Sequence, residues 1–147
     1  VGMWGADAPD CSKPVVWDDI NYENEQANFD PSKPRPVDVV RQDTALLSFY
    51  KRLTEMRKGN PVLVYGDLNF ILADDQKMVL AYSRRTDNEE IIVVFNRSDK
   101  AQSVNLTDMK YSDYRNILSS GGVEFKNTSS GIEVNLEPLS AIVLRNN

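Results

Sequence analysis

The sequence predicts a mainly β protein, an antiparallel β-sandwich preceded by an irregular segment and one α-helix. Three observations predict it. Residues 1–37 hold five of the seven prolines, and neither a helical nor an alternating period survives there. Residues 38–58 carry a single apolar stripe at helical spacing. From Pro61 onward, about seven short apolar runs alternate with polar turns, which is the pattern of a sandwich.

Taken in chain order, the irregular segment is too rich in aromatics for a disordered tail, since it contains Trp4, Trp17, Tyr22 and Phe29. It reads as a long loop packed against something. In the helix, Leu46, Phe49, Tyr50, Leu53 and Met56 recur at spacings of three and four. Asp38 or Asp43 caps its start. Lys51, Arg52, Arg57 and Lys58 gather at its end, where cations suit the helix dipole. Gly59 fits a left-handed residue past the helix, and Pro61 keeps the helix from resuming. Strands are predicted at 66–73 and 78–85, on either side of an Asp74–Lys77 turn, and then at 90–96, 102–106, 114–118, 132–136 and 140–145. The run 90–96 is continuously apolar, as a buried central strand requires. In 132–136, Ile132, Val134 and Leu136 alternate with Glu133 and Asn135, so one face is dry and the other wet.

Composition excludes several function classes. The chain has 147 residues, enough for one domain or one domain with an appended segment, and enough to bury a core. It has no histidine, so it contains no Ser-His-Asp triad, Cys-His dyad or HExxH zinc site. A single cysteine, Cys11, rules out an internal disulfide framework and, with no histidine beside it, reads as inert. No run approaches ~18 apolar residues, so no membrane helix is expected, and no targeting segment is visible; the chain reads as soluble, its compartment unread. The net charge of −5 divides into −6 over residues 1–30 and +1 over the rest. No basic patch stands out, which argues against nucleic acid.

Carboxylates are the only abundant catalytic type. Paired carboxylates hydrolyse glycosides, but among 22 acids a neighbouring pair has little meaning. Arg41-Gln42-Asp43 lies at a helix start and reads as a cap. Asp7, Asp10 and Asp18 lack the register of a calcium loop. Asn96, Asn105 and Asn127 each open a glycosylation sequon, a motif that recurs by chance. Trp4 and Trp17 have flat rings suited to the apolar faces of sugars, but a tryptophan more often anchors a loop in a core.

These residues together resemble a family. The run from Gly2 to Trp17 (GMWGADAPDCSKPVVW) resembles the segment after the eighth barrel strand of the alpha-amylase family, glycoside hydrolase family 13. There a Gly-rich step and a D-P-D-x-R-x-P-M-x-W phrase precede the eighth helix. Leu46–Lys58, followed by Asn60-Pro61-Val62-Leu63-Val64-Tyr65-Gly66-Asp67, is similar to the family's join between barrel and C-terminal β domain. Val79–Arg84 and Ile92–Asn96 resemble two of that domain's strands, and Leu136–Leu144 resembles its last. The pieces cover essentially the whole chain in the family's order, and are most similar to the neopullulanase, cyclomaltodextrinase and bacterial alpha-amylase members. Ser12 and Lys13 depart from the arginine-bearing phrase, so no role of that arginine transfers.

The resemblance implies a C-terminal part of a retaining hydrolase of α-glucosidic bonds in starch, pullulan or maltooligosaccharides. Residues 1–60 would be the end of a TIM-type (β/α)8 barrel, with its last loop and eighth helix, and 61–147 an alpha-amylase-type C-terminal sandwich. The family's catalytic Asp, Glu and Asp would lie upstream, so this chain would carry no catalytic residue, no metal site and no cofactor; any calcium of the parent would take upstream ligands. Active sites of such barrels lie among the βα loops, which makes Trp4, Asp7 and Trp17 candidates for α-glucan contact at the cleft rim. The β domain would pack its inner face against the barrel and support it. The alternative is a starch-binding module using exposed aromatics such as Tyr111 and Tyr114. The helix 38–58, without barrel neighbours, is expected to drive self-association through its apolar face.

Overall fold

The computed structural model describes residues 15–24, 32, 37 and 39–147. It divides into two compact units, Val1–Met56 and Arg57–Asn147.

In the first unit, α1 (Thr44–Gly59) begins at Thr44 rather than at 38, and runs three residues into the second unit. Asp43 sets that start. Its Oδ1 accepts the Leu46 amide at 2.9 Å and its carbonyl accepts the Leu47 amide at 3.0 Å, satisfying donors that a helix N-terminus leaves open. The alternative cap, Asp38, lies outside the described residues. Arg57 and Lys58 occupy the last turn as expected. Gly59 ends the helix without the positive φ expected of it. The reason lies just beyond: the chain turns at once into α2 (Val62–Tyr65). Pro61 therefore starts a second helical turn instead of a strand, and Arg57 Nη1 donates to the Leu63 carbonyl at its heart, 2.6 Å away.

The second unit is a sandwich of two antiparallel sheets, as expected. Its strands are β1 (Asp67–Asp74), β2 (Val79–Arg85), β3 (Glu90–Asn96), β4 (Gln102–Leu106), β5 (Tyr114–Ser120), β6 (Val123–Thr128), β7 (Gly131–Leu136) and β8 (Ala141–Asn146). One sheet has the order β1-β2-β3-β8-β5 and the other β4-β7-β6. The strand β6 was not expected. The apolar run 90–96 is indeed the middle strand of the larger sheet, and β7 buries Ile132, Val134 and Leu136 while Asn135 stays exposed. The Asp74–Lys77 turn forms, with Asp74 Oδ1 accepting the Lys77 amide at 2.9 Å.

Alternation sets the two faces of the larger sheet. Val79, Ala81, Ile92, Val94, Ile142 and Leu144 point inward and meet Val104, Leu106, Ile132, Val134 and Leu136 of the smaller sheet. Each such valine, isoleucine or leucine contributes about 1.5–3 kcal/mol by leaving water. The inner face is thus filled within the sandwich, which corrects the expectation that it packs against a barrel.

The outer face holds the cross-strand pairs Phe70–Tyr82, Tyr82–Val93 and Leu80–Phe95. At one end α2 lies against β2 and β3. Arg84, an outward residue, donates to the Val64 carbonyl at 3.1 Å, and outward Ile91 is 0% exposed. Gly66 permits this approach: a Cβ there would sit 2.6 Å from the Val62 carbonyl oxygen and 2.8 Å from that of Arg85. At the other end the face is open, with Phe70 64% exposed.

Candidate functional site

Of the three predicted contact residues, Trp4 and Asp7 lie outside the described residues. Trp17 lies on a loop of the first unit and is 59% exposed. The loop folds on Tyr22, whose hydroxyl accepts the Trp17 amide at 2.9 Å and donates to the Val15 carbonyl at 3.2 Å. That arrangement fixes the backbone and leaves the indole to solvent.

The aromatics named for starch binding do not form a platform. Tyr114 is 2% exposed and belongs to a buried polar cluster. Tyr111 is half-buried, with its hydroxyl on the Asp87 carbonyl at 3.3 Å. The sequon asparagines also resolve. Asn96 is buried, and its amide donates to the Lys100 and Glu137 carbonyls. Asn127 donates to Asp113 and the Tyr114 carbonyl. Asn105 is exposed.

The polar cluster closes one end of the sandwich. The β2–β3 register sets Arg85 opposite Glu90 on the inner face, a charge pair where the aliphatic core ends. Glu90 is 0% exposed. Its carboxylate accepts from Arg85 Nε, from the Tyr114 hydroxyl and from the Lys110 amide, the last at 3.0 Å. Its own amide donates to Asn146 Oδ1 at 2.7 Å. A buried carboxylate survives only with such compensation. Burial, and then the hydrogen bond to Glu90, push the Tyr114 hydroxyl well above its ordinary range. At Arg85 burial works against the charge, but the hydrogen bond and charge of Glu90 outweigh it and raise the guanidinium further. With its oxygens engaged and no exposure, Glu90 holds structure together and is not placed for proton transfer to a substrate.

Beside this cluster a polar cleft of about 460 Å³ opens to solvent. Arg85 and Lys110 supply its cations, Asp67 and Asp87 its anions, and Tyr65, Asn69 and Thr86 the rest of its lining. Lys110 Nζ donates to the Thr86 and Asp87 carbonyls at 3.0 and 2.6 Å, holding the β2–β3 loop. Sequence reasoning missed this cleft because its parts come from three separate stretches of chain, none of which forms a motif. Among the described residues no group of three or more Asp, Glu, Cys or His side chains is placed to hold a metal ion, and no helix is long and apolar enough to cross a membrane.

Comparison with known proteins bears directly on the second unit. The family model described as "Maltogenic Amylase, C-terminal domain" matches residues 68–143. The cyclomaltodextrinase of Geobacillus thermopakistaniensis (strain MAS1) is 31% identical over 104 residues, 71% of this chain and 14% of that protein. The oligo-1,6-glucosidase of Bacillus cereus is 27% identical over 145 residues, 90% of this chain and 24% of that protein. Among solved structures, the alpha-amylase from H. orenii aligns over 100% of this chain and 30% of its own, with a TM-score of 0.67 at 18% identity, a likeness of fold. The chain spans a quarter or less of the length of the curated relatives it matches.

Proposed function

The chain belongs to the family of maltogenic amylase C-terminal domains, and from that premise we propose that it is the C-terminal part of a glycoside hydrolase acting on α-glucosidic bonds of starch, pullulan or maltooligosaccharides. In this reading the sandwich supports an upstream catalytic barrel and carries no chemistry of its own. The observation that supports it best is the open outer end of the larger sheet. Phe70 is exposed there beside half-buried Leu80, Tyr82 and Phe95. Such a patch on a sheet that is otherwise covered fits a neighbouring domain. The wholly buried Glu90 fits the same role, because its carboxylate is spent on structure. The chain needs no cofactor in this reading. Trp17, with Trp4 and Asp7, is retained as a contact to the glucan chain.

The test is the longer gene product, assayed on β-cyclodextrin, pullulan and maltotriose. Hydrolysis of at least one is expected, and Phe70→Asp is expected to lower the thermal midpoint of its activity. Absence of hydrolysis of all three overturns the reading.

The same reading covers α1. Its stripe of Leu46, Phe49, Leu53 and Met56 contributes no buried residue. The 147-residue chain alone is therefore expected to self-associate through that stripe, and a single monomeric boundary in sedimentation at high concentration would contradict this.

A further inference from the structure

We propose that the cleft beside Tyr65 binds a short neutral saccharide, stacked on the Tyr65 ring and hydrogen-bonded by Asp67, Asn69, Arg85 and Asp87. Four observations support it. First, Tyr65 is 83% exposed at the end of α2, where the close approach at Gly66 fixes it near the end of β2. A flat aromatic with a wet rim matches the C–H face of a sugar ring. Second, three of the polar side chains around it are unused. Among the described residues the side chains of Asp67, Asn69 and Asp87 have no hydrogen-bond partner, so they are free to meet hydroxyls, which both donate and accept. Third, the frame of the site is preorganised. Arg85 is held through Nε by Glu90 and through Nη2 by the Asp108 carbonyl at 2.6 Å. The 86–87 loop is held by Lys110 and by the Thr86 amide on the Glu89 carbonyl at 2.9 Å. The ordering cost left for a ligand to meet is that of the Tyr65, Asp67, Asn69 and Asp87 side chains, while Arg85 and the loop backbone are already fixed. Fourth, the charges balance. Two carboxylates disfavour an anion and two cations disfavour a metal ion, while a neutral polyol meets no net field. The volume of about 460 Å³ suits one to three sugar rings.

The saccharide class follows from the cleft itself; the choice of α-glucans among saccharides rests on the function proposed above. The experiment follows amide shifts of the 147-residue chain during titration with maltotriose, with cellobiose, with calcium chloride and with inorganic phosphate. Saturable shifts at residues 65–69 and 85–87 are expected with maltotriose, at a midpoint on the order of millimolar. Tyr65→Ala is expected to weaken binding about tenfold with an unchanged thermal midpoint, and Asn69→Ala to weaken it severalfold. A response to cellobiose but not maltotriose upholds the saccharide cleft and counts against the α-glucan reading. Silence toward both sugars overturns the cleft and leaves hydrolysis by the longer protein to be judged separately. A response to calcium or phosphate alone, or one that survives unchanged in Tyr65→Ala, also overturns it.

Discussion

The two faces of the larger sheet are built from the same five strands and treated in opposite ways. On the inner face the side chains of β2 and β3 are buried or half-buried inside the chain, and among them only the Ser83 hydroxyl is left without a hydrogen-bond partner. Aliphatic residues meet the smaller sheet, and where they run out, Arg85 and Glu90 close the end with a charged pair. On the outer face only one end is closed, by α2 over Ile91, and the aromatic end stands open with Phe70, Tyr82 and Phe95. The inner face is filled by the chain itself, while the outer face keeps exposed aromatic surface, which the reading proposed above assigns to a neighbouring domain. Burial of a charge inside and exposure of aromatics outside are the two departures from a simple apolar sandwich, and each marks a different demand on the sequence.

The sharpest break of the comparison is Glu90→Ala. Glu90 accepts from a guanidinium, a hydroxyl and an amide, and its removal strands all three. Breaking a buried ion pair on one side costs about 3–5 kcal/mol. Arg85 keeps 21% of its side-chain surface and recovers some hydration, so about 3 kcal/mol is expected. Urea unfolding of the variant against the parent chain measures it. A loss no greater than that of a surface substitution would mean the inner face does not depend on its charged end.

Tyr114→Phe probes the same end more gently. The ring still packs, but Glu90 loses one donor, for an expected loss of about 1.5 kcal/mol near neutral pH. The pH dependence identifies the cause. Burial, and after it the bond to Glu90, raise the hydroxyl above its ordinary value of 10.0, so the folded chain holds this proton more tightly than the unfolded one. The corresponding stability is fully present below pH 10 and is lost as pH rises toward the folded value. Urea midpoints from pH 8 to 11 are expected to fall above pH 10 in the parent chain, and to fall less steeply in Tyr114→Phe. Parallel curves would remove Tyr114 from the account.

How much of this was legible follows from which signals are local. Strand β3 and the alternation of β7 were plain, because continuous apolarity and period two are written in adjacent residues. The strand β6 was not. Val123-Glu124-Phe125-Lys126-Asn127-Thr128 has only two apolar side chains, as suits an edge strand of a three-stranded sheet that faces the core with one narrow row. Its flanking signals, Gly121-Gly122 and Ser129-Ser130-Gly131, were the available clue, and Gly121 does adopt φ +78°. The four residues of α2 are too few for any period. Both candidate chemical features were invisible for another reason. Glu90 with Tyr114, and Tyr65 with Arg85 and Lys110, are joined by strand register and by the approach at Gly66, across separations that no spacing motif spans. Tyr114 shows the converse hazard: an aromatic type suited to sugar binding was placed by the fold against a carboxylate.

The smallest expected effect carries the most information about the outer face. Phe70 pairs with Tyr82 across β1 and β2, so Phe70→Asp introduces a charge into the aromatic row. In the 147-residue chain that charge stays hydrated, and the change is expected within about 0.5 kcal/mol of zero, as for other exposed positions. In the longer gene product a docked domain would bury the same carboxylate without a partner, at about 1–3 kcal/mol or more. The contrast between two thermal midpoints, one per protein, therefore reads the presence of a covering domain directly. Equal small shifts in both would leave the outer face bare in the longer protein as well. A large shift in the short chain would show that Phe70 already contributes to this sandwich, and the difference between the two faces would then be one of degree.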